Sequence, residues 1–179
     1  MQSFNVPTGE QVSPANQAIF ESLKSKYNVV PNLYATFAHS DTALETYVAL
    51  QGAKSSLDGK QREVVNLVVS QVNSCQYCLA AHTLGGKMNG FSEAQIMEMR
   101  HGRASFDPKL DALAIFTKAV TEKRGQVDPA TLQAFFDGGW TKGNVVDVIV
   151  AIGDKIITNY LHAVTKIPVD LPAAAPLAA

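Results

Sequence analysis

Apolar residues recur along this chain at intervals of three and four, and strict alternation is scarce, a pattern that predicts helices rather than sheets. The spacing predicts a helix over 15–26, with Ser13 as N-cap and Pro14 at its first position. Pro31 breaks the chain. A second helix runs from about Asn32 to His39, and Asp41 caps a third that reaches about Lys54. Ser55 to Gly59 reads as a turn, and Asp58 and Gln61 have the spacing of a capping pair that opens a helix at about Lys60. Val64, Val65, Leu67, Val68, Val69 and Val72 give that helix an apolar arc wide enough to require burial on most sides. The β-branched run also suits a strand, but capping signals surround it and no partner strands appear. Asn73-Ser74 stops it, with Ser74 as N-cap of a helix from Cys75 to about Met88. Gly90 punctuates, and Ser92-Glu93 begins a helix to about His101. Asp107-Pro108 opens another through about Lys123, Asp128-Pro129 a short one, and a long helix spans about Lys142 to Val164. The expected fold class is all-α. The segments Arg62 to Val69 and Gly143 to Val150 echo each other; an internal duplication, or two apolar helices sharing one core, would produce this.

The chain has 179 residues, 46% of them apolar. That is room for one domain over 1–170 with its core at about 30–165. The stretch after Pro168 is rich in Pro and Ala, and 171–179 is expected to be a poorly ordered tail. A net charge of -1 leaves no electrostatic footprint for nucleic acid. With no run of about 18 apolar residues, no membrane span is expected. Met1-Gln2-Ser3-Phe4-Asn5 lacks the basic and apolar stretches of a secretory signal, so a cytoplasmic location is expected.

That compartment matters for the two cysteines, which lie in Ser74-Cys75-Gln76-Tyr77-Cys78-Leu79-Ala80-Ala81-His82. In a reducing environment such a pair is more often catalytic or metal-binding than a structural staple. On a helix, Cys75, Cys78 and His82 fall within an arc of roughly 60°, at ~100° per residue. In the first turn, unpaired N–H groups and the positive dipole end favour thiolate over thiol. His82, four residues after Cys78, can take its proton. One unbroken helix would put Glu63 ~18 Å from Cys75, at ~1.5 Å per residue. A reversal at Asn73-Ser74 would instead bring Glu63 level with His82, where a carboxylate orients the imidazole and stabilises its charged form. Reduction of a peroxide needs a thiolate, a proton for the departing oxygen and a second thiol to resolve the sulfenic acid as a disulfide.

Other readings remain open at this level. The cysteines could be small buried hydrophobes; Cys75, Cys78 and His82 could hold a zinc ion; Glu63 could be an exposed first-turn carboxylate. His39 and His101 read as helix-end residues. His162 reads as a core or last-turn histidine or as a pocket wall, and Trp140 and Tyr160 read as packing. No glycine-rich loop follows a strand, so dinucleotide binding lacks support.

Glu63, eleven intervening residues, then Cys75-x-x-Cys78-x-x-x-His82 resembles the core motif of the alkylhydroperoxidase D family, within the carboxymuconolactone decarboxylase-like superfamily. Arg62-Glu63-Val64-Val65, Ser70-Gln71-Val72-Asn73 and Asn159-Tyr160 extend the resemblance, which covers about 30–170. It implies an AhpD-like helical bundle with a catalytic helix hairpin, assembled as a homo-oligomer, commonly a trimer or hexamer. By the same resemblance Cys78 attacks the peroxide, Cys75 resolves, and Glu63 and His82 relay protons. Helix position alone would favour Cys75 as nucleophile. An external dithiol protein is the implied reductant, and neither a metal nor an organic cofactor is implied. Well-known alkylhydroperoxidases carry histidine just before the second cysteine, where this chain has Tyr77. The superfamily's lactone decarboxylases lack the cysteine pair, so both thiols favour redox chemistry over decarboxylation of a small lactone by Glu63 and His82. A redox sensor whose disulfide controls a partner is the reading from another class.

Overall fold

Nine α-helices and a 3-10 turn at Gly9–Gln11 make up the computed structural model, which describes residues 4–177; no strand occurs among the described residues. In chain order the helices are α1 (Pro14–Tyr27), α2 (Asn32–Phe37), α3 (Ala43–Gly52), α4 (Gly59–Val72), α5 (Gln76–Met88), α6 (Glu93–Arg100), α7 (Pro108–Glu122), α8 (Pro129–Asp137) and α9 (Lys142–Thr165). The all-α class expected from periodicity is the class observed. No helix among the described residues is long and apolar enough to cross a membrane.

Local chemistry accounts for most helix starts. Ser13 accepts from the Asn16 N–H, Asp107 from Lys109 and Leu110, and Asp128 from Thr131. Asp58 with Gln61 and Ser92 with Gln95 form capping boxes. The third helix departs from expectation: Thr42 rather than Asp41 precedes its first turn, and the Ser40 hydroxyl accepts from the Ala43 N–H at 3.2 Å.

Helix α4 is the spine. Val64, Val65, Leu67, Val68 and Val69 are fully buried, and α4 packs against α5, α6, α7 and α9. Valine loses rotamer freedom in a helix, but burying each side chain contributes about 1.5–3 kcal/mol. Burial outweighs the strand preference of the run. Phe116, Phe135 and Trp140 stack beneath it, with the Trp140 indole N–H donating to the Lys109 carbonyl at 3.0 Å. A second cluster joins Phe20, Phe37, Leu44 and Tyr47; a third packs Leu33 and Ile167 around Cys75, Tyr77 and Cys78.

The reversal between α4 and α5 is a Schellman turn. Ser74 sits in the left-handed region at φ 55°, its N–H bonding the Gln71 carbonyl at 3.0 Å, while the Cys75 N–H bonds that of Ser70 at 2.9 Å. Ser74 therefore ends α4 instead of capping α5, and the cap of α5 is Cys75. Beyond α9 the chain returns without regular structure. Asp170 accepts from the Asn32 N–H at 2.9 Å and from the Tyr77 hydroxyl at 2.5 Å. Further on, Leu171 packs beside the thiol cluster and the Ala175 carbonyl accepts from Arg100 at 2.6 Å, so part of the stretch read as a loose tail has defined partners.

Candidate functional site

The turn that reverses the chain also differentiates the two thiols. Cys75, as N-cap, turns its sulfur over the open end of α5 and accepts the Cys78 N–H at 3.3 Å. Cys78 lies one turn inward, and both residues are about 2% exposed. A hydrogen bond from Cys75 pushes the Cys78 thiol down to about 6; burial opposes this, while the Asn159 amide, His82 and Lys155 reinforce it. That same bond, followed by burial, pushes the Cys75 thiol far up. The same contact thus favours thiolate at Cys78 and thiol at Cys75.

The antiparallel pairing of α4 and α5 sets Glu63 against His82, with Oε2 3.0 Å from Nδ1. Both side chains are largely buried. Burial pulls the Glu63 carboxyl up, but His82, Asn66 at 3.3 Å and the Lys155 charge outweigh it and hold the carboxyl below its ordinary value. Gly85 makes this approach possible: a Cβ there would stand 3.0 Å from the Glu63 carboxylate. Gly86 plays the same part toward Ile96.

The third wall comes from α9. The Lys155 ammonium, buried like the thiols, lies 3.4 Å from His82 Nε2 and 3.5 Å from Asp154. Four residues on, Asn159 is buried, and Asn73 donates to its Oδ1 at 2.9 Å. That bond settles which way the amide points: Nδ2 has no nitrogen or oxygen partner and faces the sulfurs. Polar groups continue outward from Asp154, which with burial pushes up the Tyr47 phenol. Gln51 donates to Tyr47 and accepts from Tyr34.

The structure thus brings Glu63 to His82 and Cys75 to Cys78, but among the described residues no hydrogen bond joins His82 to Cys78. Nor do Cys75, Cys78 and His82 gather as a metal-binding group. Tyr77 is a buried strut: its hydroxyl joins Asp170 and the Leu33 N–H, and its ring lies against His162. Burial lowers the His162 imidazole from its ordinary value. His39 bonds the Asn5 carbonyl, His101 caps α6, and Tyr160, read as packing, is exposed on the outer face of α9.

Sequence reasoning missed Gly85, Lys155 and Asn159, though each leaves a signal. A Gly-Gly pair inside a helix costs about 1 kcal/mol per residue against alanine, so something must require it. Val148, Ile152, Lys155 and Asn159 share one helical face, which puts an ammonium and an amide in register with core positions.

Residues 36–119, which hold Glu63, both cysteines and His82, match the carboxymuconolactone decarboxylase family. No curated protein matches the chain in sequence. Among solved structures, the chain is similar to an uncharacterized peroxidase-related protein with an alkylhydroperoxidase AhpD core from Ralstonia eutropha JMP134. The TM-score is 0.81 at 19% identity, covering 90% of this chain and 88% of the other. An uncharacterized peroxidase-related protein from Silicibacter sp. TM1040 superposes with a TM-score of 0.80 at 21% identity, covering 97% and 92%. The debrominase Bmp8 bound to 2,3,4-tribromopyrrole gives 0.76 at 11% identity, covering 95% and 93%. The fold is AhpD-like.

Proposed function

We propose that this protein is a thiol-dependent peroxidase acting on hydrogen peroxide or organic hydroperoxides. The observation that carries this reading is the pair of buried cysteines at the open end of α5, Cys75 capping it and Cys78 one turn inward, with the His82–Glu63 pair one turn further on; the lowering of the Cys78 thiol by its neighbours supports it. Cys78 thiolate attacks the terminal peroxide oxygen, the O–O bond breaks, and the sulfur becomes a sulfenic acid. The proton that Cys78 gave up on ionising passes through the His82–Glu63 relay to the departing hydroxide or alkoxide, which leaves as water or alcohol. Cys75 then attacks the Cys78 sulfur, a disulfide forms, and the sulfenic oxygen leaves as water. An external dithiol protein returns both thiols to the reduced state. Assembly as a homo-oligomer belongs to the same proposal, and the apolar outer face of α9 supports it.

Peroxide consumption with excess dithiol, for hydrogen peroxide and a bulky organic hydroperoxide, tests the reading. Turnover is expected from wild type and none from Cys78→Ser. One disulfide per chain without turnover would replace the enzyme with a redox sensor. The family match favours a second reading, decarboxylation of a small lactone through Glu63 and His82. Lactone turnover that survives loss of both thiols would select it.

A further inference from the structure

Lysine carries three donors and no acceptor. With the Lys155 ammonium at His82 Nε2, that nitrogen presents a lone pair, and the ring hydrogen sits on Nδ1, where the Glu63 carboxylate accepts it. His82 is therefore occupied on both sides, and its Nε2 is turned to Lys155 rather than to the Cys78 sulfur. A buried ammonium is costly unless paired, and its carboxylate neighbour Asp154 stands at 3.5 Å, leaving Oδ1 without a hydrogen-bond partner. Structural need alone would be met by a methionine at this core position.

We propose that Lys155 is a positioning residue of the thiol site: by donating to His82 Nε2 it selects the Nδ1–H tautomer of the resting imidazole and places a positive charge beside Cys78 that favours its thiolate. The inference deepens the peroxidase reading and rests on it for its use in turnover. The charge state itself is independent of any substrate. The ionisable groups around Lys155 and Cys78 are Glu63 from α4, Cys75, Tyr77 and His82 from α5, Asp154 from α9 and Tyr47 from α3, with Tyr34 of α2 beyond Gln51. Of these neighbours Lys155 and His82 are the basic groups, and Lys155 is the one that also stands against a second carboxylate, Asp154. Its removal takes away an attraction that, with that of His82, favours the Cys78 thiolate.

The test uses reduced full-length protein with no peroxide. The pH dependence of Cys78 alkylation by iodoacetamide, resolved from Cys75 by peptide mass spectrometry, is compared among wild type, Lys155→Met and Lys155→Arg. Wild type should titrate at about 6. Lys155→Met should titrate about one pH unit higher, which reads as a roughly fivefold slower reaction at pH ~6, and Lys155→Arg should stay near wild type. Superimposable profiles for wild type and Lys155→Met would overturn the proposal. Nitrogen-15 NMR of His82 in wild type reads the tautomer directly, whether or not the methionine variant folds. The Nδ1–H form is expected, and an Nε2–H form overturns the proposal. Because neither measurement involves turnover, an intact charge effect in a protein that consumes no peroxide would retire the peroxidase reading and leave this one standing.

Discussion

Gly85 bears on the site as directly as any side chain. A Cβ there would meet all three carboxyl atoms of Glu63 at 3.0–3.1 Å, and the atoms that must give way belong to the end of a flexible side chain. Gly85→Ala should therefore fold, gaining up to about 1 kcal/mol of helix propensity. The Glu63 carboxylate should be pushed off His82 by a few tenths of an ångström. If Glu63 and His82 relay protons as proposed, peroxidase kcat/KM falls about tenfold, since small misplacements of catalytic groups are expensive, while Tm holds or rises. Unchanged kcat/KM would mean that the carboxylate position is unimportant. Cys75 and Cys78 make a related point, because identical side chains three residues apart acquire opposite proton affinities from one hydrogen bond. Residue type carries no trace of that bond's direction.

At the level of elements, helix starts were legible because caps act within four residues. Ser13, Asp58 with Gln61, Ser92, Asp107 and Asp128 all cap where the sequence places them. The α4–α5 turn was legible as a break but not in its geometry. Serine is common as an N-cap and uncommon in the left-handed region, so residue type pointed to the wrong role for Ser74. The exposed left-handed backbone there carries strain that glycine lacks. Ser74→Gly should stabilise the protein by about 0.5–1 kcal/mol and raise Tm by about 2 °C, measured by thermal melting of the reduced protein. A lower Tm would show that the serine hydroxyl, rather than the backbone, sets the energy of the turn.

For the molecule as a whole, α9 has two working faces. Its inner face contributes Val148 and Ile152 to the core and Lys155 and Asn159 to the thiol site. Its outer face leaves Val146, Ile149, Val150, Ile157, Tyr160 and Val164 exposed. Their spacing makes one stripe along the helix, continuous at one end with a shallow groove lined by Phe4 and Phe37. Apolar surface gathered this way marks an interaction face, and a second copy of the chain is the occupant that the oligomer proposal requires. Val150→Glu, which adds an unpaired charge in mid-stripe, should shift the protein to monomer in light scattering at micromolar concentration, with little change in helicity. A monomeric wild type, or an unmoved oligomer in the variant, would rule out this face as the contact.

Sequence by itself determined the helical class, most of the helix starts and the candidacy of Glu63, Cys75, Cys78 and His82. These rest on local physics, in which periodicity, caps and short spacings act within a few residues. Even the closeness of Glu63 and His82, 19 positions apart, follows from counting outward from a single turn. What only the tertiary structure decided lies on other elements. Lys155 is 73 positions from His82, Asn159 is 86 from Asn73, and Asp170 is 93 from Tyr77. Their proximity depends on how α9 and the segment after it pack across α4 and α5, and that packing is set by the shape of the whole core.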